Sequence, residues 1–147
     1  MCPLPHAALL LLATISLSLA SPTDVAKKFF DQYVALEAAF DPATADLYSD
    51  DAKIQNTRIY PDGRKRTLTM PAPAYKTLIK QVMPSAKLRG DTNKYSDIKI
   101  TQEGDKFRVT ATRFSNLKKY SSPLSLLIGR DKNDVWLIYE ELSESQP

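Results

Sequence analysis

The chain has a single cysteine, Cys2, and a single histidine, His6, and both fall within its first twenty residues. Everything after Ala20 therefore lacks the means for a disulfide, a Cys–His or Ser–His–Asp triad, a zinc site built on Cys or His, or a histidine acid or base. Acid–base chemistry in that stretch would fall to Asp, Glu, Tyr, Lys or Ser. No metal-ligand set or cofactor motif appears there, so we expect neither a metal nor a cofactor. Lys, Arg, Asp and Glu are in turn missing from residues 1–20, which run apolar from Ala7 to Leu19 and end on Ser18-Leu19-Ala20 before Ser21. That pattern is a signal-peptide core with a small-residue cleavage site. It is shorter than the roughly 20 apolar residues a permanent membrane helix requires. The expectation is a signal peptide over 1–20, one domain over 21–147, and an exported product, with the bacterial periplasm favoured because the domain has no cysteine. No permanent membrane span is expected after cleavage.

A strong charge of one sign is also missing. The formal net charge is +3 and the basic residues are dispersed, apart from Arg64, Lys65 and Arg66 at a turn. Nucleic acid is therefore not an expected partner.

What is present reads as alternating helix and strand signals. Val25, Phe29, Phe30, Tyr33, Val34, Leu36 and Phe40 recur at helical spacing from Thr23, which can cap the helix. Asp41-Pro42 opens a short second helix through about Tyr48. Lys53 to Tyr60 and Arg64 to Met70 read as a hairpin across Pro61-Asp62-Gly63. Pro71 to Met83 returns to helical spacing, with Pro84 expected to stop it. Four strands follow, Lys94 to Glu103, Lys106 to Leu117, Pro123 to Arg130 and Val135 to Ser143, joined as an antiparallel meander. Trp136 and Tyr139 are expected on opposite faces of the last strand because their separation is odd.

This order, with Leu47-Tyr48-Ser49-Asp50-Asp51-Ala52-Lys53-Ile54 entering the first strand, resembles the nuclear-transport-factor-2-like superfamily, which includes ketosteroid isomerase, SnoaL-like cyclases, dehydratases and binding modules. The resemblance implies a cystatin-like α+β cone. In it, a strongly curved, mostly antiparallel sheet of about six strands wraps around three helices from the N-terminal half and opens on an apolar ligand. It places Tyr33 at the isomerase donor tyrosine, but the base position on Asn56 and the second donor near Leu126. Neither can do that work, so the chain leans away from catalysis and no catalytic residue is assigned.

The candidate ligand-binding residues are Tyr33, Asn56, Arg58 and Arg113. Tyr33 lies on the apolar stripe of the first helix and needs a partner for its hydroxyl. Asn56 and Arg58 share a strand face with Ile54, and Arg113 follows Phe107, Val109 and Ala111 on another. Asp46, Asp50 and Asp51 are read as caps and turn residues, and Glu140, Glu141 and Glu144 as a solvated edge. The favoured function is non-catalytic binding of a small, partly apolar or partly anionic molecule in the cone. One alternative is an isomerase, cyclase or dehydratase that pairs Tyr33 with an Asp from 46–51. The other is a protein–protein module of the cell envelope, or a homodimer, that uses the outer sheet face.

Overall fold

The computed structural model describes residues 16–147, so most of the expected signal peptide lies outside the described residues. Helix α1, Pro22–Ala38, is capped two residues earlier than the Thr23 cap expected from sequence. Ser21 is the N-cap: its side chain accepts from the Asp24 amide, while the Asp24 carboxylate accepts from the Ser21 amide. Pro22 fits behind it because the first helical position needs no N–H. Ala26, Phe29, Phe30 and Tyr33 form the buried stripe.

The second helix is a 3-10 turn, Pro42–Leu47, capped by the Asp41 side chain on the Ala43 amide. It runs straight into β1, Tyr48–Ile59, which begins well before the expected Lys53. Strand β2 is Lys65–Pro71 and helix α2 is Ala72–Arg89. Pro84 does not stop α2, contrary to the sequence expectation. It sits on the exposed side of the helix, as does Lys80, whose carbonyl is the one that loses its donor, and water can satisfy that carbonyl. The helix ends instead at Gly90, held in the left-handed region at φ 64°.

Strands β3, Asn93–Glu103, β4, Lys106–Ser115, β5, Ser121–Arg130, and β6, Trp136–Ser145, form the expected meander. The six-stranded sheet runs β2-β1-β6-β5-β4-β3, and every neighbouring pair is antiparallel except β1 with β6, which is parallel. The fold is the expected α+β arrangement, with the helices on one face of a mostly antiparallel sheet. On that inner face Ile54, Val109, Leu124, Leu126, Ile128 and Ile138 form one buried core with the apolar stripe of α1, Ala45 and Leu47 of the 3-10 turn, and Ala72 and Ile79 of α2. Trp136 joins this face against Phe107, with ring centroids 5.9 Å apart, whereas Tyr139 lies on the other face under the Lys106 ammonium, 5.0 Å from its ring.

Replacing Pro84 with Ala should restore one helical hydrogen bond at an exposed position and raise the unfolding free energy. The gain is expected at about 1–3 kcal/mol, reduced by the freer unfolded chain. Urea unfolding measures it, and an unchanged or lower midpoint would mean that α2 is not continuous through Pro84.

Candidate functional site

The polar centre of the molecule is Glu141 on β6, which is only 2 % exposed. This corrects the sequence expectation of a solvated edge, and the cause is a one-residue bulge. Leu127 pairs with Glu140 but Ile128 pairs with Ile138, so Tyr139 is an extra residue in β6. Strict alternation from the buried Ile138 would point Glu140 inward and Glu141 outward. The bulge reverses the count.

Glu141 consequently sits between two buried aliphatic neighbours, Ile54 on β1 and Leu126 on β5. A carboxylate there needs donors, because an unpaired buried charge is costly. Tyr48 donates its hydroxyl to Oε2, and Tyr75, from α2, donates to Oε1 at 3.0 Å. The two rings meet edge to face at 5.4 Å between centroids. Burial pushes the Glu141 carboxyl above its ordinary value, against the opposing pull of the Tyr48 and Tyr75 hydroxyls and Arg113. Burial and the neighbouring Glu141 raise both tyrosines well above 10.0.

Arg113 lies on the inner face of β4 and donates through Nη2 to the Glu144 carbonyl at 2.9 Å. Burial works against its charge, but Tyr33, Tyr95, Glu141 and Glu37 outweigh this and hold it protonated. Beyond it, Glu37 of α1 accepts from Tyr95 at 2.8 Å and from Asn93 at 2.9 Å. No ion pair among the described residues includes Arg113 or Glu141.

Both residues face one cavity of about 270 Å3, together with Asn56, Tyr75 and Ser143. Its remaining wall is apolar and comes from Ile54, Leu68, Met70 and Leu78. Leu68 and Leu78 are exposed, at 47 % and 38 %, so the cavity has an apolar rim on β2 and α2.

Of the four residues singled out from sequence, the cavity brings together two, Asn56 and Arg113. The Asn56 amide is held in place, donating to Ser143 at 3.0 Å and accepting from Ser145 at 2.8 Å. Arg58 shares the inner face but does not line the cavity, and its Nε is buried without a partner. Tyr33 is a core residue, 3 % exposed, stacked on Phe30 at 5.9 Å and edge-on to Tyr95 at 6.3 Å. Asp46, Asp50 and Asp51 point to solvent, and the first two pair with Lys80 and Lys76, so none of them can act as the acid partner of Tyr33. Glu141, Tyr48 and Tyr75 were missed. Tyr48 stood in the phrase that opens the first strand, the one available signal.

The outer sheet face holds a broad trough of about 480 Å3 with Thr57, Lys99, Thr110, Thr112 and Glu144 on its walls. Between these polar side chains the lining is apolar, with Pro123 and Leu142 among its residues.

No family model and no curated protein sequence matches the chain. Solved structures do. A nuclear-transport-factor-2-like protein of unknown function from Shewanella oneidensis is 18 % identical with a TM-score of 0.62, over 85 % of this chain and 100 % of that one. A nuclear-transport-factor-2-like protein from Cytophaga hutchinsonii is 14 % identical with a TM-score of 0.60, over 86 % and 99 %. A scytalone-dehydratase-like protein from Novosphingobium aromaticivorans is 14 % identical with a TM-score of 0.59, over 82 % and 81 %. At these identities the likeness establishes the fold, and the fold is nuclear-transport-factor-2-like.

The raised Glu141 carboxyl has a consequence for stability. A group that holds its proton more tightly when folded makes the unfolding free energy decline as pH rises from its ordinary 4.5 through the higher folded value. Glu141→Gln cannot ionise and should lose this decline, so the variant gains on the parent as pH climbs through that window. Urea unfolding at stepped pH measures the gap, and a gap that stays constant would mean that Glu141 titrates normally.

Proposed function

We propose that this protein is an exported binder of a small, partly apolar molecule, held in the cone between α2, β2 and the inner sheet face. The observation that carries the reading is the 270 Å3 cavity, in which an apolar wall and rim converge on Arg113, Glu141 and Asn56. Ligand sites commonly have this composition, an apolar lining with a few polar groups that fix orientation. The test is native mass spectrometry and a crystal structure of the protein purified from its own host. A small molecule touching Arg113 and Leu78 is expected, and Leu78→Lys at the rim should cut its retention by about tenfold. A cavity that stays empty under every condition, with no loss on Leu78→Lys, would end the proposal.

A second reading is favoured by Glu141 itself. A carboxyl with raised proton affinity that faces the cavity beside the Tyr75 hydroxyl is suited to general acid catalysis. A dehydratase or isomerase would use it to protonate a departing hydroxyl or carry a proton between carbons, with Arg113 stabilising the oxygen that gains charge. Glu141→Gln separates the two readings, since a binder keeps its ligand unchanged in either form, whereas an enzyme converts it only with Glu141.

Export is part of the same proposal. The apolar stretch before Ser21 supports it, and so does the place of Ser21 as the first residue that α1 uses. When the full chain is expressed in a bacterium, the exported product should have the mass of 21–147. A product that retains Met1 and remains in the cytoplasm would contradict it.

A further inference from the structure

Arg113 and Glu141 share one cavity wall without forming an ion pair, and each has hydrogen-bonding capacity left over. The guanidinium has five N–H groups and one protein acceptor, the Glu144 carbonyl. The carboxylate has about four lone-pair positions and two donors, Tyr48 and Tyr75. No other side chain on the wall is hydrogen-bonded to either of them, and the Asn56 amide is turned to Ser143 and Ser145.

Charge then decides what a ligand can be. Among the residues lining the cavity the two charged ones are Arg113 and Glu141, and they cancel. A ligand carboxylate would leave two anions against one cation in a half-enclosed site, and a ligand ammonium would leave two cations against one carboxylate. Either imbalance is poorly screened in such a place. Size sets a further limit. A cavity of 150 Å3 is enough for benzene, so 270 Å3 suits about ten heavy atoms, one substituted ring.

We infer that the site selects an uncharged molecule with an acceptor oxygen, such as a carbonyl, on Arg113 and a nearby hydroxyl that donates to Glu141. Its apolar body lies against Ile54, Leu68, Met70 and Leu78. This replaces the partly anionic ligand expected from sequence, and it rests on the proposal that the cavity binds a small molecule at all.

The experiment compares four probes of nearly equal size on the full chain by calorimetry and ligand-observed NMR. They are α-hydroxyacetophenone, with both groups and no charge; mandelate, with a carboxylate; acetophenone, without the hydroxyl; and ethylbenzene, with neither. α-Hydroxyacetophenone should bind about tenfold more tightly than mandelate or acetophenone. Arg113→Met removes the carbonyl contact and should weaken α-hydroxyacetophenone binding by about tenfold. Glu141→Gln removes the negative charge and should raise mandelate affinity by about tenfold. Should that variant fail to fold, as read by near-ultraviolet circular dichroism, the ranking on the unaltered protein still decides.

Mandelate binding as tightly as α-hydroxyacetophenone overturns the selection for neutral ligands and leaves the cavity proposal standing. Acetophenone binding as tightly as α-hydroxyacetophenone overturns the role given to Glu141. If all four fail to bind, or all bind equally to the parent and to Leu78→Lys, this inference and the cavity proposal fall together.

Discussion

The parallel contact between β1 and β6 is the constraint on which the rest depends. Parallel neighbours cannot be joined by a tight turn, and here the connection between them, residues 60–135, takes up more than half of the domain. The contact brings Ile54 and Asn56 beside Glu141 and Ser143, and it places β2 at one edge of the sheet rather than leaving the hairpin detached. α2 follows β2 directly, so this pairing also decides where Tyr75 and Leu78 reach the cavity. Long loop closure of this kind is entropically costly, and the buried aliphatic residues on β1, β5 and β6 must offset it.

The site built on this contact does not gain stability from its charge. A carboxylate between Ile54 and Leu126 is a poor choice for holding a sheet together, since an aliphatic residue would fill the same volume without desolvation. Two tyrosine hydroxyls from separate elements, β1 and α2, are committed to it. A position that sacrifices stability and recruits partners from across the chain is where function is expected to lie. The contrast with the outer face supports this. There Arg108 binds Glu103 at 2.7 Å and Glu140 at 2.9 Å, a partly exposed network whose partners are satisfied among themselves.

How much of this the sequence disclosed depends on whether each element keeps its period. The helical stripe of α1 and the unbroken alternation of β4 put Tyr33 in the core and Arg113 on the inner face. The stretch of β1 from Ala52 onward is equally regular, so Asn56 was placed correctly beside Ile54. Legibility fails where a local device interrupts the period. Trp136 and Ile138 share a face, but the extra residue at Tyr139 carries the alternation over, and a pair of glutamates gives no composition signal to show which one is inside. Pro84 misleads in the opposite way: its stopping power is real in general, but an exposed position in a helix already held by Ala72 and Ile79 tolerates it. Tyr75 read simply as part of an apolar helix face, because the carboxylate its hydroxyl meets is 66 residues away.

The bulge in β6 gives the strand two phases, one for its first half and one for its second, joined at Tyr139. Most surface changes in a sheet are gradual, altering one side chain and leaving its neighbours in place. A change in the bulge itself is not. Were β6 to pair straight through Tyr139 at unchanged length, Glu140, Leu142 and Glu144 would turn toward the helices and Glu141, Ser143 and Ser145 would leave together, exchanging one polar floor for another while the first half of the strand stayed unaltered. Deletion of Tyr139 has the opposite result, because Ile138, Glu140 and Glu141 then alternate in, out and in without a bulge. A relative one residue shorter at this point would thus keep the same interior on a plain strand.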